Sequence, residues 1–172
     1  MLTNSMRNSG SVAESAGVAA RTPRLKLAVQ YATEVQQVPP RSEFRKWVKA
    51  ALKQDAEIVL RIVDADEGRD LNLNFRKRDY AANVLTFVYD NVERNSQSLA
   101  GDIVLCAPVI ENEAGEQHKA LTAHYAHLTV HGVLHLQGYD HQTDADAAAM
   151  ERLETQIVEK LGYKDPYRGT SN

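Results

Sequence analysis

All six histidines of this 172-residue chain lie between His118 and His141. Four of them, His124, His127, His131 and His135, fall on a stretch with helical character. At ~100° per residue their side chains project within an arc of roughly 80°. Imidazoles four residues apart on a helix are separated by ~6 Å along the axis, so two of them can reach one ion at ~2.0–2.1 Å. Residues eight apart are separated by ~12 Å, which is too far for one tetrahedral site. His127, His131 and His135 therefore cannot all bind the same ion, and a third ligand must come from beyond the helix. Gly138 tolerates a positive φ and can turn the chain back. That turn presents His141 to the pair His131 and His135.

The resulting string, HGVLHLQGYDH from His131 to His141, has H-x-x-x-H-x-x-G-x-x-H spacing. The same spacing occurs in the extended zincin and metzincin pattern, where a glutamate after the first histidine is the general base. Here that position is Gly132. Three neutral imidazoles leave a fourth coordination position open, and a zinc-type ion there lowers the pKa of water towards ~7. The expectation is a hydrolase with one Zn²⁺ per chain, although the same donors accept Ni²⁺ or Cu²⁺. A metallopeptidase is disfavoured because its base is missing. His124 and His127 either orient a ligand or touch substrate, or merely cover the helix. Asp140 either holds a ligand's other ring nitrogen or is a solvated turn residue.

The elements that must position these groups follow from periodicity. Leu25, Leu27, Val29 and Tyr31 alternate with polar or small residues, as in a half-buried strand. Pro39-Pro40 ends it, and Ser42 is placed to cap a helix whose apolar stripe is Phe44, Trp47, Val48, Ala51 and Leu52. EIVLRIVD, from Glu57 to Asp64, reads as a central strand covered on both faces. The polar stretch Asp64 to Asp79 suggests a short helix around Leu71 and Leu73, after a break at Glu67-Gly68. Val84 to Tyr89 and Gly101 to Cys106 are strand candidates, separated by the turn-forming segment Asp90 to Ala100. A short helix from Pro108 to Glu113 is interrupted at Gly115. A long one runs from about Lys119 to Gln137 and stops at Gly138. Thr143 and Asp146 resemble a capping box before the last helix, which carries Met150, Leu153, Ile157 and Leu161 on one face and stops at Gly162. The fold class expected is α/β (α+β), a small mixed four-stranded sheet packed with helices, with the metal site at the end of the long helix and the following turn.

Composition sets outer bounds. The length suits one domain, read as residues 25–167 between a flexible extension (1–24) and a short tail (168–172). With 43% hydrophobic residues the chain can bury a real core. Its single cysteine, Cys106, cannot form an internal bridge, which suggests the cytoplasm. No apolar run is long enough for a membrane span. A net charge of −3 gives no overall attraction to nucleic acid, so any such binding relies on a local patch. The dense basic cluster of the folded part is Arg69, Arg76, Lys77 and Arg78. Arginine's planar fork suits phosphate oxygens.

Taken together, HGVLHLQGYDH, the segment NLNFRKRDYAANVLTF (Asn72 to Phe87), GDIVLC and the terminal LGYKDPY resemble the YbeY family of bacterial endoribonucleases, or rRNA maturation factors. The resemblance covers roughly residues 25–167, with separate motifs in the right order. It implies a metal-dependent endoribonuclease acting on ribosomal RNA, at the 16S 3′ end, in maturation and ribosome quality control in the cytoplasm. It also implies small-subunit ribosomal proteins and an assembly GTPase as partners. The family's motif histidines fall on His131, His135 and His141, and its functional arginine falls on Arg76; Lys77 and Arg78 beside it are either substrate contacts that draw an RNA backbone electrostatically or solvated surface residues. Two positions depart from the pattern: Ala82 replaces a threonine, and Val88 replaces a proline. The rival reading is a non-catalytic ribosome-assembly factor with a structural metal.

Overall fold

A computed structural model describes residues 21–89 and 98–168. The N-terminal extension up to residue 20, most of the predicted 90–100 turn and the last four residues lie outside that range. Four strands form one mixed sheet: β1 (Leu25–Ala32), β2 (Ala56–Val63), β3 (Val84–Val88) and β4 (Leu99–Cys106), in the order β1-β2-β4-β3. β1, β2 and β4 run parallel, and β3 joins the β4 edge antiparallel. Five helices complete the described fold: α1 (Arg41–Ala51), α2 (Ala65–Arg76), α3 (Ala107–Glu116), α4 (Leu121–Leu136) and α5 (Asp144–Lys160).

Side-chain alternation divides the sheet into two unequal faces. Ile58, Leu60 and Ile62 of β2, with Ile103 and Leu105 of β4, enter the main core beside the α1 stripe and α4. Val63, Val104 and Cys106 point the other way, into a smaller cluster that includes Leu71 of α2. β2 is thus covered on both sides, as its nearly continuous apolar run requires. All five residues of the predicted α1 stripe are buried. Phe44 and Tyr125 of α4 meet edge to face at 6.0 Å, an arrangement favoured by the ring quadrupoles.

Three local expectations need correction. Ser42 does not cap α1: the helix begins one residue earlier, with extended Pro40 at the N-cap and no side-chain cap bond. Gly68 does not break α2, which is continuous from Ala65 to Arg76. A Cβ on Gly68 would lie 3.2 Å from Cys106 Sγ, so this glycine lets the helix approach the sheet. Gly115 does not end α3, which continues to Glu116. Helix α5 is capped as expected on one side of the box, since Thr143 Oγ1 accepts the Asp146 N–H at 3.0 Å. The sheet therefore acts as a floor, and α4 lies buried upon it.

Candidate metal centre

Helix α4 is buried on nearly every side from His124 to Leu136, which explains its weak amphipathicity. It packs closely on the sheet at Gly132. A Cβ there would stand 3.2 Å from Ile103 Cγ2 and 3.4 Å from Thr86 Cγ2. Residue 132 therefore faces β3 and β4, and no general base can be presented from it. His131 and His135 project from another side of the helix and remain partly accessible.

The helix ends in a left-handed turn. Gly138 has φ +101°, the Gly138 N–H donates to His135 O at 3.0 Å, and the Tyr139 N–H donates to Leu134 O at 3.1 Å. This is a glycine-terminated helix end of the Schellman type, and it returns His141 to the two helical histidines. The ring centroids of His131 and His135 are 4.5 Å apart, those of His131 and His141 5.0 Å, and those of His135 and His141 4.8 Å. One ring nitrogen from each lies within 4.8 Å of the others. A tetrahedral ion bound at ~2.0–2.1 Å needs donors ~3.4 Å apart, so small side-chain rotations would close the set. Burial, together with the neighbouring His131 and His141, lowers the His135 pKa to about 4. It is therefore neutral, the form in which imidazole binds a metal.

The other two helical histidines are buried rather than spread over the helix surface. His124 Nε2 lies 2.8 Å from Glu113 Oε1 of α3. The Asn83 amide donates to both oxygens of the same carboxylate, at 3.0 and 3.2 Å. His127 Nε2 lies 2.6 Å from Glu154 Oε1 of α5, and His131 Nδ1 lies 2.9 Å from Glu154 Oε2. Asp140 holds no ring: its Oδ1 accepts the His141 backbone N–H at 2.7 Å. The sequence reading missed Glu113 and Glu154. A signal for Glu154 was available, because Met150, Glu154 and Val158 form the buried stripe of α5. A carboxylate in an apolar stripe demands partners.

Arg76 closes α2 and reaches β3, where its Nη2 donates to Thr86 O at 2.6 Å. Its guanidinium carbon lies 5.3 Å from the Phe87 ring centroid. The backbone oxygen of Thr86 thus anchors Arg76 while its methyl group packs beside Gly132, next to His131. Lys77 is the left-handed C-cap of α2, with φ 61°, and Arg78 is exposed. Arg69 is engaged elsewhere, bonded to Asp79 at 2.5 Å. Among the departures noted, Val88 is an exposed residue at the end of β3, and Ala82 packs on the smaller core cluster.

The fold and the histidine trio define a small α+β protein with a three-imidazole site suited to a transition-metal ion. Comparison with known proteins makes this specific. The chain matches the family described as Endoribonuclease YbeY over residues 28–162. An Endoribonuclease YbeY of Nitrosospira multiformis is 61% identical, with 85% of this chain and 83% of that protein covered. One of Nitrosomonas europaea is 62% identical, covering 83% and 85%. The solution structure of TM1509 from Thermotoga maritima aligns with TM-score 0.52 at 23% identity, over 81% of this chain and 99% of that one, and supports the fold. The chain belongs to the YbeY family.

Proposed function

We propose that this protein cleaves RNA by metal-assisted phosphodiester hydrolysis, with His131, His135 and His141 as the metal ligands and Arg76 as the catalytic residue. The endoribonuclease activity itself comes with the family, whose members at 61% and 62% identity carry that name. The observation that carries the mechanism is the convergence of three imidazoles from a helix and its terminal turn, with ligand atoms within 4.8 Å. A divalent ion there, Zn²⁺ by donor type and Ni²⁺ as a substitute, supplies polarisation of a phosphoryl oxygen and acidification of water.

The chain's own groups do the rest. One Arg76 N–H is spent on Thr86 O, which aims the guanidinium and leaves its remaining donors for the substrate. Those donors would neutralise charge building up on the phosphoryl oxygens. Lys77 and Arg78, directly after α2, would attract the RNA backbone to a protein whose net charge is −3. With residue 132 turned to the sheet, the protease mechanism has no base, whereas phosphodiester cleavage can draw on charge neutralisation by Arg76. Ribosomal RNA at the 16S 3′ end is the substrate we propose, with small-subunit proteins and an assembly GTPase as partners in the cytoplasm. No described helix is long and apolar enough to cross a membrane.

The test compares rRNA cleavage by metal-loaded wild type, Arg76→Ala, His135→Ala and a chelator-treated sample, with metal content and circular dichroism measured on each. Arg76→Ala should keep metal and fold but lose roughly 10²–10³ in rate, the usual cost of one transition-state charge donor. His135→Ala should lose the metal and the activity together. Equal cleavage by all four samples would remove the assignment and favour a non-catalytic assembly factor.

A further inference from the structure

Glu154 is fully buried, and among the described residues no lysine or arginine pairs with its carboxylate. An ionised carboxylate so placed costs several kcal/mol unless its lone pairs are taken up. Three polar groups surround it. Tyr167 O–H donates to Oε1 at 2.5 Å, His127 Nε2 lies 2.6 Å from the same oxygen, and His131 Nδ1 lies 2.9 Å from Oε2. They come from two elements, α4 and the segment after α5.

A carboxylic acid is ordinarily a stronger acid than imidazolium by about two units, so a proton shared between Glu154 and a ring nitrogen sits on the ring, and the carboxylate only accepts. His131 must therefore carry its proton on Nδ1, which leaves the Nε2 lone pair free. The same logic places the His127 proton on Nε2, turned away from any ion and committed to the carboxylate. His127 is eight residues from His135, so it was excluded from the ligand set by distance; its contact with Glu154 gives it another role. We propose that Glu154 is the positioning residue of the metal centre: it fixes the tautomer and orientation of His131, while His127 and Tyr167 hold its carboxylate in place. This rests on the reading of His131, His135 and His141 as metal ligands. A carboxylate behind a ligating imidazole also makes the metal-bound nitrogen more basic. It follows that the segment after α5, through Tyr167, belongs to the metal centre.

A buried charge of this kind is poor evidence for stability, because apolar replacements of such groups are often neutral or stabilising. The purely structural alternative is therefore tested directly. Nitrogen-15 NMR of the wild-type histidine rings, in metal-free protein, reads the tautomer without any substitution. His131 should be the Nδ1–H form, and finding the Nε2–H form would overturn the proposal. Zn²⁺ affinity by chelator competition is then compared for wild type, Glu154→Gln and Tyr167→Phe, with thermal unfolding of each. Glu154→Gln should bind Zn²⁺ about 10–100-fold more weakly, and Tyr167→Phe should fall between it and wild type. If Glu154→Gln folds and binds within twofold of wild type, Glu154 has only a structural role and the proposal fails. Should Glu154→Gln not fold, the wild-type tautomer decides. Failure of wild type itself to bind Zn²⁺ would instead remove the metal-ligand reading on which the proposal stands.

Discussion

Changing Gly132 to glutamate would restore, on paper, the general base of the zincin pattern. The structure predicts that it produces no peptidase and no stable protein. A Cβ at 132 already meets Ile103 Cγ2 at 3.2 Å, Ile103 Cδ1 at 3.4 Å and Thr86 Cγ2 at 3.4 Å, and Ile103 is fully buried on β4. For Gly132→Ala, the gain in helix propensity is ~1 kcal/mol, and the overpacking penalty is about 1–3 kcal/mol. The net loss is roughly 1 kcal/mol, or a fall of about 2–4 °C in Tm for a domain of this size. Gly132→Glu adds a longer side chain and a carboxylate facing an isoleucine and a threonine methyl. Burying that unpaired group takes the loss beyond ~4 kcal/mol. Thermal unfolding of both variants, followed by metal analysis and an assay on a generic peptide, tests the argument. A Gly132→Glu protein with wild-type Tm would refute the packing, and one that also hydrolysed peptides would refute the exclusion of peptidase chemistry.

Further outcomes follow from the same geometry. Gly138→Ala meets no steric neighbour, but its φ of +101° is unfavourable for an L side chain, so it should cost about 1 kcal/mol or more. Because the strain falls between His135 and His141, its Zn²⁺ affinity should fall as well, measured by chelator competition. Thr143→Ala removes the acceptor of the Asp146 N–H and should cost ~1 kcal/mol in denaturant unfolding with metal binding unchanged. For metal-free protein, His135 is neutral in the fold down to about pH 4 but titrates near ~6.5 when unfolded. The unfolded state thus binds more protons in that window, so stability should fall as pH drops from ~6.5 to ~4. The loss is on the order of 1–2 kcal/mol after solvent screening. Urea titrations at several pH values read it directly, and a flat profile would contradict the burial of His135.

Much of this was legible in the sequence because the metal site is local. His131, His135 and His141 lie within one string, and helix pitch plus one glycine turn settle which of the four α4 histidines can converge. Strand and helix identities followed from periods of two and 3.6, since each element buries one face or two. Two of the three misreadings concern glycine, and close packing accounts for one of them. A glycine in a helical pattern resembles punctuation, but it can also serve close packing, or, like Gly115, simply continue the helix with no neighbour within 4 Å of its Cβ position. Gly68 serves packing against Cys106, whose Sγ would stand 3.2 Å from a Cβ at 68, an approach between residues 38 apart in the chain.

The same limit separates the histidine trio from the groups it touches. Nothing local joins His131 to Glu154, 23 residues away, or Arg76 to the Thr86 carbonyl. These contacts exist because α4 lies between the sheet and α5, with β3 beneath Gly132. The small residue that denies this chain a protease base is also what lets α4 descend onto β3. Thr86 then packs against the helix with its methyl and holds Arg76 with its carbonyl. Under the proposed function, Gly132 then leaves no base to the site while Arg76, anchored on Thr86 O, offers it a cation, which suits a phosphodiester better than a peptide.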